Sequence, residues 1–275
     1  MIKLNFVFKN IGDQICTTAI PENIFNVSGE KCVVTDPKIW TFKHNPYVIQ
    51  GMTDEETKGL PSIDLMPDAR IQQQAQHFAN TMNSFMSSGQ TEYMCVQMGF
   101  NDVRLRHPRL YIYEDEETIP HKIVVHTTGS DRSREGSENI RAWAGEDAKK
   151  EMTADIISSI ARNYKQYEIV QVGGKDDIPM TGKFIDKRGL NYWDTAKEIA
   201  SAARFIGINS GMTHIANCYP RVDKRIVMAE FSREVLMAHK AGDIRNFSFS
   251  WYDPSHMFFN RFDIDAGVTY SHLKI

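Results

Sequence analysis

A chain of 275 residues with 41% hydrophobic and 11% aromatic content has enough apolar surface for a full core, in one large domain or two modest ones, which excludes intrinsic disorder. Its 32 basic and 35 acidic side chains leave a net charge of −3, so duplex nucleic-acid binding is not the default. No apolar run approaches the ~20 residues that span a bilayer. Cys16, Cys32, Cys95 and Cys218 stand far apart with no Cys-x-x-Cys pair, and read as reduced core thiols rather than a disulfide frame or zinc site. The segment Met1 to Phe8 lacks the layout of a secretory signal and reads as a buried first strand. The expectation is a cytoplasmic globular protein.

In chain order, strand-like and helix-like runs alternate, the pattern of a parallel α/β sheet. Leu4 to Phe8 is a strand, Gly12 to Phe25 helical, and Lys31 to Thr35 a second strand closed by Asp36-Pro37. Trp40 to Leu60, with its aromatics, Pro46 and acidic Thr53 to Glu56, reads as loops and short strands. Ile63 to Met66 is a further strand. The spacing of Ile71, Ala75, Phe78, Ala79, Met82 and Phe85 predicts a helix over Asp68 to Ser87. Glu114 to Pro120, charged and ending in proline, is the best linker candidate. The alternation then restarts: a strand at Lys122 to His126, a helix at Asp147 to Tyr164, and a strand at Glu168 to Val172 ending in Gly173-Gly174. A helix at Asp194 to Ala203, a strand at Phe205 to Ile208, a helix opening at Gly211 and a strand at Arg225 to Met228 complete it. The result is two Rossmann-like domains facing a cleft, residues 1–118 and 119–245. The aromatic-rich segment 246–275 is less regular, and the expectation is that it packs back across them.

Three strand-to-helix turns are placed for chemistry, because ligands of open parallel sheets bind at the carboxyl ends of strands. In Asn10-Ile11-Gly12-Asp13, Gly12 permits close backbone approach, and Asp13 is either a helix cap or a carboxylate able to take a proton from a hydroxyl. Thr127-Thr128-Gly129-Ser130 is either an ordinary turn or a set of phosphate donors, with Arg132, Arg134 and Arg141 adding positive charge downstream. The third is the strongest. In Ile208-Asn209-Ser210-Gly211-Met212-Thr213-His214 a strand runs into Ser-Gly at a helix start. The amides of Gly211, Met212 and Thr213 and the hydroxyls of Ser210 and Thr213 suit a diphosphate there. His214 is either structural or a further donor. The sequence has no Gly-x-Gly-x-x-Gly, no Walker-type Gly-Lys-Ser/Thr, no nucleophile elbow and no metal-ligand spacing, which disfavours a Rossmann oxidoreductase.

These segments resemble the ADP-heptose:lipopolysaccharide heptosyltransferase family, glycosyltransferase family 9. Asn10-Ile11-Gly12-Asp13, followed by Thr17, Thr18 and Pro21, is similar to the family's N-terminal Gly-Asp segment. His126 to Ser130 with Arg141-Ala142-Trp143 is similar to the turn and basic-x-Trp pattern that opens its donor domain. Val172-Gly173-Gly174 matches a glycine pair, and Ala203 to Ala216 a signature with Asp-Ser-Gly and a later His. Here Asn209 stands where the family has aspartate, and Arg141 where it has lysine; the acceptor half is short.

The resemblance implies the GT-B fold and a metal-independent, inverting sugar transfer from a nucleotide diphosphate-sugar to a glycan or other hydroxyl acceptor. It implies no further cofactor. Asp13 takes the role of general base. Gly129, Ser130, Arg141, Gly173, Gly174, Ser210, Gly211, Met212, Thr213 and His214 hold the donor, and Asn10 and Gly12 line the acceptor side. The alternative is a non-catalytic nucleotide-sugar-binding protein on the same fold; a nucleotide-sugar epimerase is a further rival.

Overall fold

The computed structural model describes residues 1–6, 11–35, 40–65, 108–129, 151–208, 210–227 and 257–258. The chain divides between Glu114 and Asp115 into two compact units, each with its own parallel sheet and core.

The first unit is built on β1 (Ile2–Phe6), β2 (Cys32–Val34), β3 (Val48–Gln50) and β4 (Ser62–Leu65), ordered β3-β2-β1-β4 with every pair parallel. Between β1 and β2 the expected single helix is two, α1 (Ile11–Cys16) and α2 (Ile20–Ser28), joined by a 3-10 turn at Thr17–Ala19. The break has a local cause. Thr17 and Thr18 donate their hydroxyls to the carbonyls of Gln14 and Ile15, three residues back, and so tighten the helix end. Leu4, Ile20, Ile24, Cys32, Val34, Phe42 and Val48 form the core of this unit.

The second unit holds β5 (Ile119–His126), β6 (Glu168–Gln171), β7 (Ile185–Asp186), β8 (Ala202–Ile208), β9 (Asp223–Val227) and β10 (Met257–Phe258). Their order is β10-β9-β8-β5-β6-β7, all parallel. The helices are α3 (Ala154–Asn163), α4 (Tyr192–Ala200) and α5 (Gly211–Asn217). Ile123, Val124 and Val125 are fully buried in succession, as befits a central parallel strand covered on both faces. Ile156, Ile160 and Tyr164, spaced by four on α3 and just beyond it, lay one stripe against Ile123, Val125 and Ile206. Asn191 caps α4 by accepting from the Asp194 N–H at 2.9 Å.

Several boundaries differ from the sequence expectation, three of them around the second sheet's central strands. Ile119 and Pro120, read as linker, open β5: the Ile119 N–H donates to the Ser201 carbonyl, and the register with β8 shifts between Ile119 and Ile123. The helix expected from Asp147 begins at Ala154, because Glu151 bridges Thr128 and the Met152 N–H donates to the Thr127 carbonyl. Ala202 and Ala203 belong to β8, not to the preceding helix. The expected helix at 68–87 and nearly all of 246–275 lie outside the described residues.

Candidate functional site

The order of the second sheet reverses between β5 and β8: from β5 the chain builds outward through β6 and β7, then returns to place β8 on the other side. Such a reversal leaves a crevice at the carboxyl ends of the two strands, the usual ligand position in doubly wound sheets. Two of the segments singled out in the sequence meet there, Thr127-Thr128-Gly129 after β5 and Ser210 to His214 after β8, with Gly173-Gly174 after β6 beside them.

A histidine joins them. His126, the last residue of β5 and only 3% exposed, lies level with Gly207 of β8. Its Nδ1 is 3.0 Å from Ser210 Oγ, and its Nε2 stands 3.3 Å from Asp177 Oδ2. Ser210 is the N-cap residue of α5 in extended conformation, yet its side chain makes no capping bond and turns to the histidine instead. Asp177 Oδ2 also accepts from the Gly174 N–H at 2.9 Å. Gly173 makes this packing possible: at φ +130° a Cβ would stand 2.0 Å from Asp177 Oδ2 and 2.7 Å from His126 Cδ2.

Beneath lies a buried amide tie. Gln171, at the end of β6 and fully buried, donates from Nε2 to Thr127 Oγ1 at 3.0 Å and to the Ile178 carbonyl at 2.7 Å. Its Oε1 accepts from the Met180 N–H at 2.7 Å. Thr127 donates its hydroxyl to the Ile178 carbonyl at 2.6 Å, and the Ile178 N–H donates to Thr128 Oγ1 at 2.9 Å. The loop after β6 is thus lashed across the ends of β5 and β6 by side chains that would be costly to leave unpaired.

Several expected donor groups have other duties. Thr213 is fully buried, and its hydroxyl donates to the Ile208 carbonyl, closing the strand-to-helix junction rather than facing outward. The Thr213 and His214 N–H groups both donate to the Ser210 carbonyl, so the free Thr213 amide expected from the sequence is corrected to an intrahelical one. The Thr127 hydroxyl points inward in the same way, and the Gly174 amide is taken by Asp177. Gly129, Ser210, Gly211, Met212 and His214 are partly exposed at the strand ends. Ser130, Arg141 and Asn209 lie outside the described residues, as does Asn10 in the first unit. There, Gly12 and Asp13 are the second and third residues of α1, so Asp13 is past the cap position. Thr17 and Thr18 are buried, and Thr18 Oγ1 also accepts from the Arg109 N–H at 3.0 Å.

In the sequence His126 reads as the end of a strand and the first residue of the family-like turn segment, and Asp177 and Gln171 are not among the residues singled out. A polar Gln or His closing a run of buried β-branched residues is the signal that marks two of them. Among the described residues no group of three or more His, Cys, Asp or Glu side chains is placed to hold a metal ion, and no helix is long and apolar enough to cross a membrane.

No family model and no curated protein matches this sequence. Solved structures do match. The bacterial iron-containing dodecameric glycosyltransferase TibC from enterotoxigenic E. coli H10407 aligns at a TM-score of 0.53 and 14% identity, over 82% of this chain and 57% of that one. TibC in complex with ADP-D-beta-D-heptose aligns at 0.52 and 12%, with the same coverage. A glycosyl transferase family 9 protein from Veillonella parvula DSM 2008 aligns at 0.52 and 13%, over 88% of this chain and 89% of that one. The present chain therefore spans little more than half of TibC but most of the family 9 protein. At these identities the likeness is one of fold, and the fold is the GT-B α/β architecture of family 9 glycosyltransferases.

Proposed function

We propose that the protein is a glycosyltransferase that moves a sugar from a nucleotide diphosphate-sugar to an acceptor hydroxyl, with inversion and without a metal ion. The observation that carries this reading is the meeting of the Thr127-to-Gly129 turn and the Ser210-to-His214 segment at the β5–β8 reversal, in a fold shared with glycosyltransferases. TibC in one of those structures is in complex with an ADP-heptose, which favours an ADP-sugar as the first donor to try.

In this reading the diphosphate lies against Gly129, Ser130, Ser210, Gly211 and Met212, with His214 and Arg141 supplying further donors. Charge develops on the leaving diphosphate as the glycosidic bond breaks, and preorganised donors there stabilise it without a metal. Asp13 takes the proton of the acceptor hydroxyl as its oxygen attacks the anomeric carbon from the opposite face. Gly173 acts by seating His126 and Asp177 rather than by touching the donor.

The test is a thermal-stability screen against nucleoside diphosphates and their sugars, followed by product analysis with labelled donor. One nucleotide series should raise the melting temperature by several degrees at concentrations well above Kd. Transfer to an acceptor with inverted anomeric configuration is expected. Stabilisation without transfer or donor hydrolysis would point to a nucleotide-sugar-binding protein instead. No response to any nucleotide would sink both readings.

A further inference from the structure

The environment of His126 makes the hydrogen-bonding sense of Ser210 depend on a proton. In the neutral ring, the Asp177 carboxylate 3.3 Å from Nε2 favours the tautomer with its proton on that nitrogen. Nδ1 then carries only a lone pair, and the Ser210 hydroxyl 3.0 Å away must donate to it. So oriented, Ser210 offers nothing but oxygen lone pairs to the strand-end crevice, and an incoming phosphate oxygen meets an acceptor. When His126 carries both protons, the sense reverses. Nδ1–H donates to Ser210 Oγ, and the serine proton is released to point at a ligand.

Few other groups bear on the ring among the described residues. The loop after β6 supplies Asp177, with Arg188 behind it donating to the Asp177 carbonyl at 2.5 Å. From β6, Gln171 is spent on Thr127, Ile178 and Met180. From β8 comes Gly207, and α5 carries one titratable side chain, His214. The ring itself is 3% exposed and wedged against Gly173, so it has no room to turn its nitrogens to other partners.

We propose that His126 and Asp177 are positioning residues that turn Ser210 into a hydrogen-bond donor, and that a diphosphate binding at Ser210 takes up a proton onto His126. The inference rests on the donor-site reading above and deepens it. Linkage makes the effect reciprocal: if binding takes up one proton, affinity falls by up to about tenfold per unit rise in pH.

The experiment is titration calorimetry of the full chain with ADP-glucose, and with UDP-glucose in parallel. Both phosphates of these diesters are esterified and do not titrate near neutrality. Each titration is run at pH 6.5, 7.5 and 8.5 in buffers of different ionisation enthalpy. The expected result is an apparent enthalpy that rises with buffer ionisation enthalpy, its slope giving up to one proton taken up per ligand. In His126→Asn the amide keeps a partner for Ser210 but cannot titrate. That variant should still bind, with the slope near zero and the pH dependence flattened. Asp177→Asn should move the pH at which wild-type affinity falls off. Binding by wild type with no proton uptake, or uptake unchanged in His126→Asn, overturns the inference while leaving the donor site standing. Failure of wild type to bind ADP-glucose, UDP-glucose and every sugar nucleotide of the stability screen removes the donor site and the inference with it.

Discussion

At the scale of single residues, the candidate site is a matter of which groups are already engaged. The Thr127 and Thr213 hydroxyls read as available donors in the sequence, but each is committed to a neighbour, as is the Gly174 amide. Ser210 is the exception in kind, since its hydroxyl is held by a side chain that can exchange roles with it. Gly173 has a packing duty that is visible in its surroundings. Its backbone is left-handed, and the space a Cβ would fill belongs to Asp177 and His126. Gly173→Ala combines an unfavourable φ with a clash against a largely buried carboxylate. It should cost about 2 kcal/mol or more in chemical denaturation and displace the His126 ring. A variant as stable as wild type, with unchanged His126 chemical shifts, would show that the loop adapts and that the glycine is not needed for the pair.

At the scale of elements, α4 is fastened to the sheet by a charge cluster. Lys122 on β5, with a side chain only 6% exposed, donates from Nζ to Glu198 Oε2 and to Ser201 Oγ, each at 2.7 Å. Lys187, just after β7, reaches Glu198 Oε1 at 2.6 Å. Burial pushes the Glu198 carboxyl up, but hydrogen bonds from the Lys122 and Lys187 ammonium groups outweigh it and hold the carboxyl below its ordinary value of 4.5. A depressed folded-state pKa contributes stability above the unfolded value and loses it as pH falls through the folded one. Glu198→Gln should therefore cost about 2 kcal/mol at pH 7, between an exposed pair and a fully buried one, and progressively less below about pH 4. Urea melts at both pH values check this; a cost independent of pH would mean the carboxylate charge is not what matters. The sequence shows why some elements are legible and others not. Long periodic segments such as Ile156-Ile160-Tyr164 and the β-branched run Ile123 to Val125 announce themselves, since burial imposes their spacing. Two-residue strands such as β7 and β10 carry no period at all. α3 starts later than its periodicity predicts, because Met152 fits the helical stripe while its amide is bonded to the Thr127 carbonyl. The Gln171 tie was invisible because it is made of contacts between residues far apart in the chain, up to 44 positions for Gln171 and Thr127.

At the scale of the whole molecule, the proposed reaction divides its labour between the two units. Recognition of the diphosphate is assigned to the second unit, at the β5–β8 reversal, and removal of the acceptor proton to Asp13 on α1 of the first. The division predicts how a single change should separate binding from chemistry. In Asp13→Asn the donor pocket keeps every residue assigned to it, so the Kd for the sugar nucleotide should stay within about twofold. The acceptor hydroxyl loses its base, and general-base assistance contributes roughly 10²- to 10⁴-fold, so kcat for transfer should fall by that order. The two readouts belong together. A weakened Kd with an equal fall in kcat/KM would mean that the substitution damaged the fold or the donor site. A kcat within a few-fold of wild type, with the Kd intact, would show that the proton leaves by another route. Rate against pH distinguishes the remaining cases. With Asp13 as base, the wild-type rate should fall on the acid side as the carboxyl protonates, and that limb should vanish in Asp13→Asn. Retention of the same acid limb in the variant would assign it to some other group.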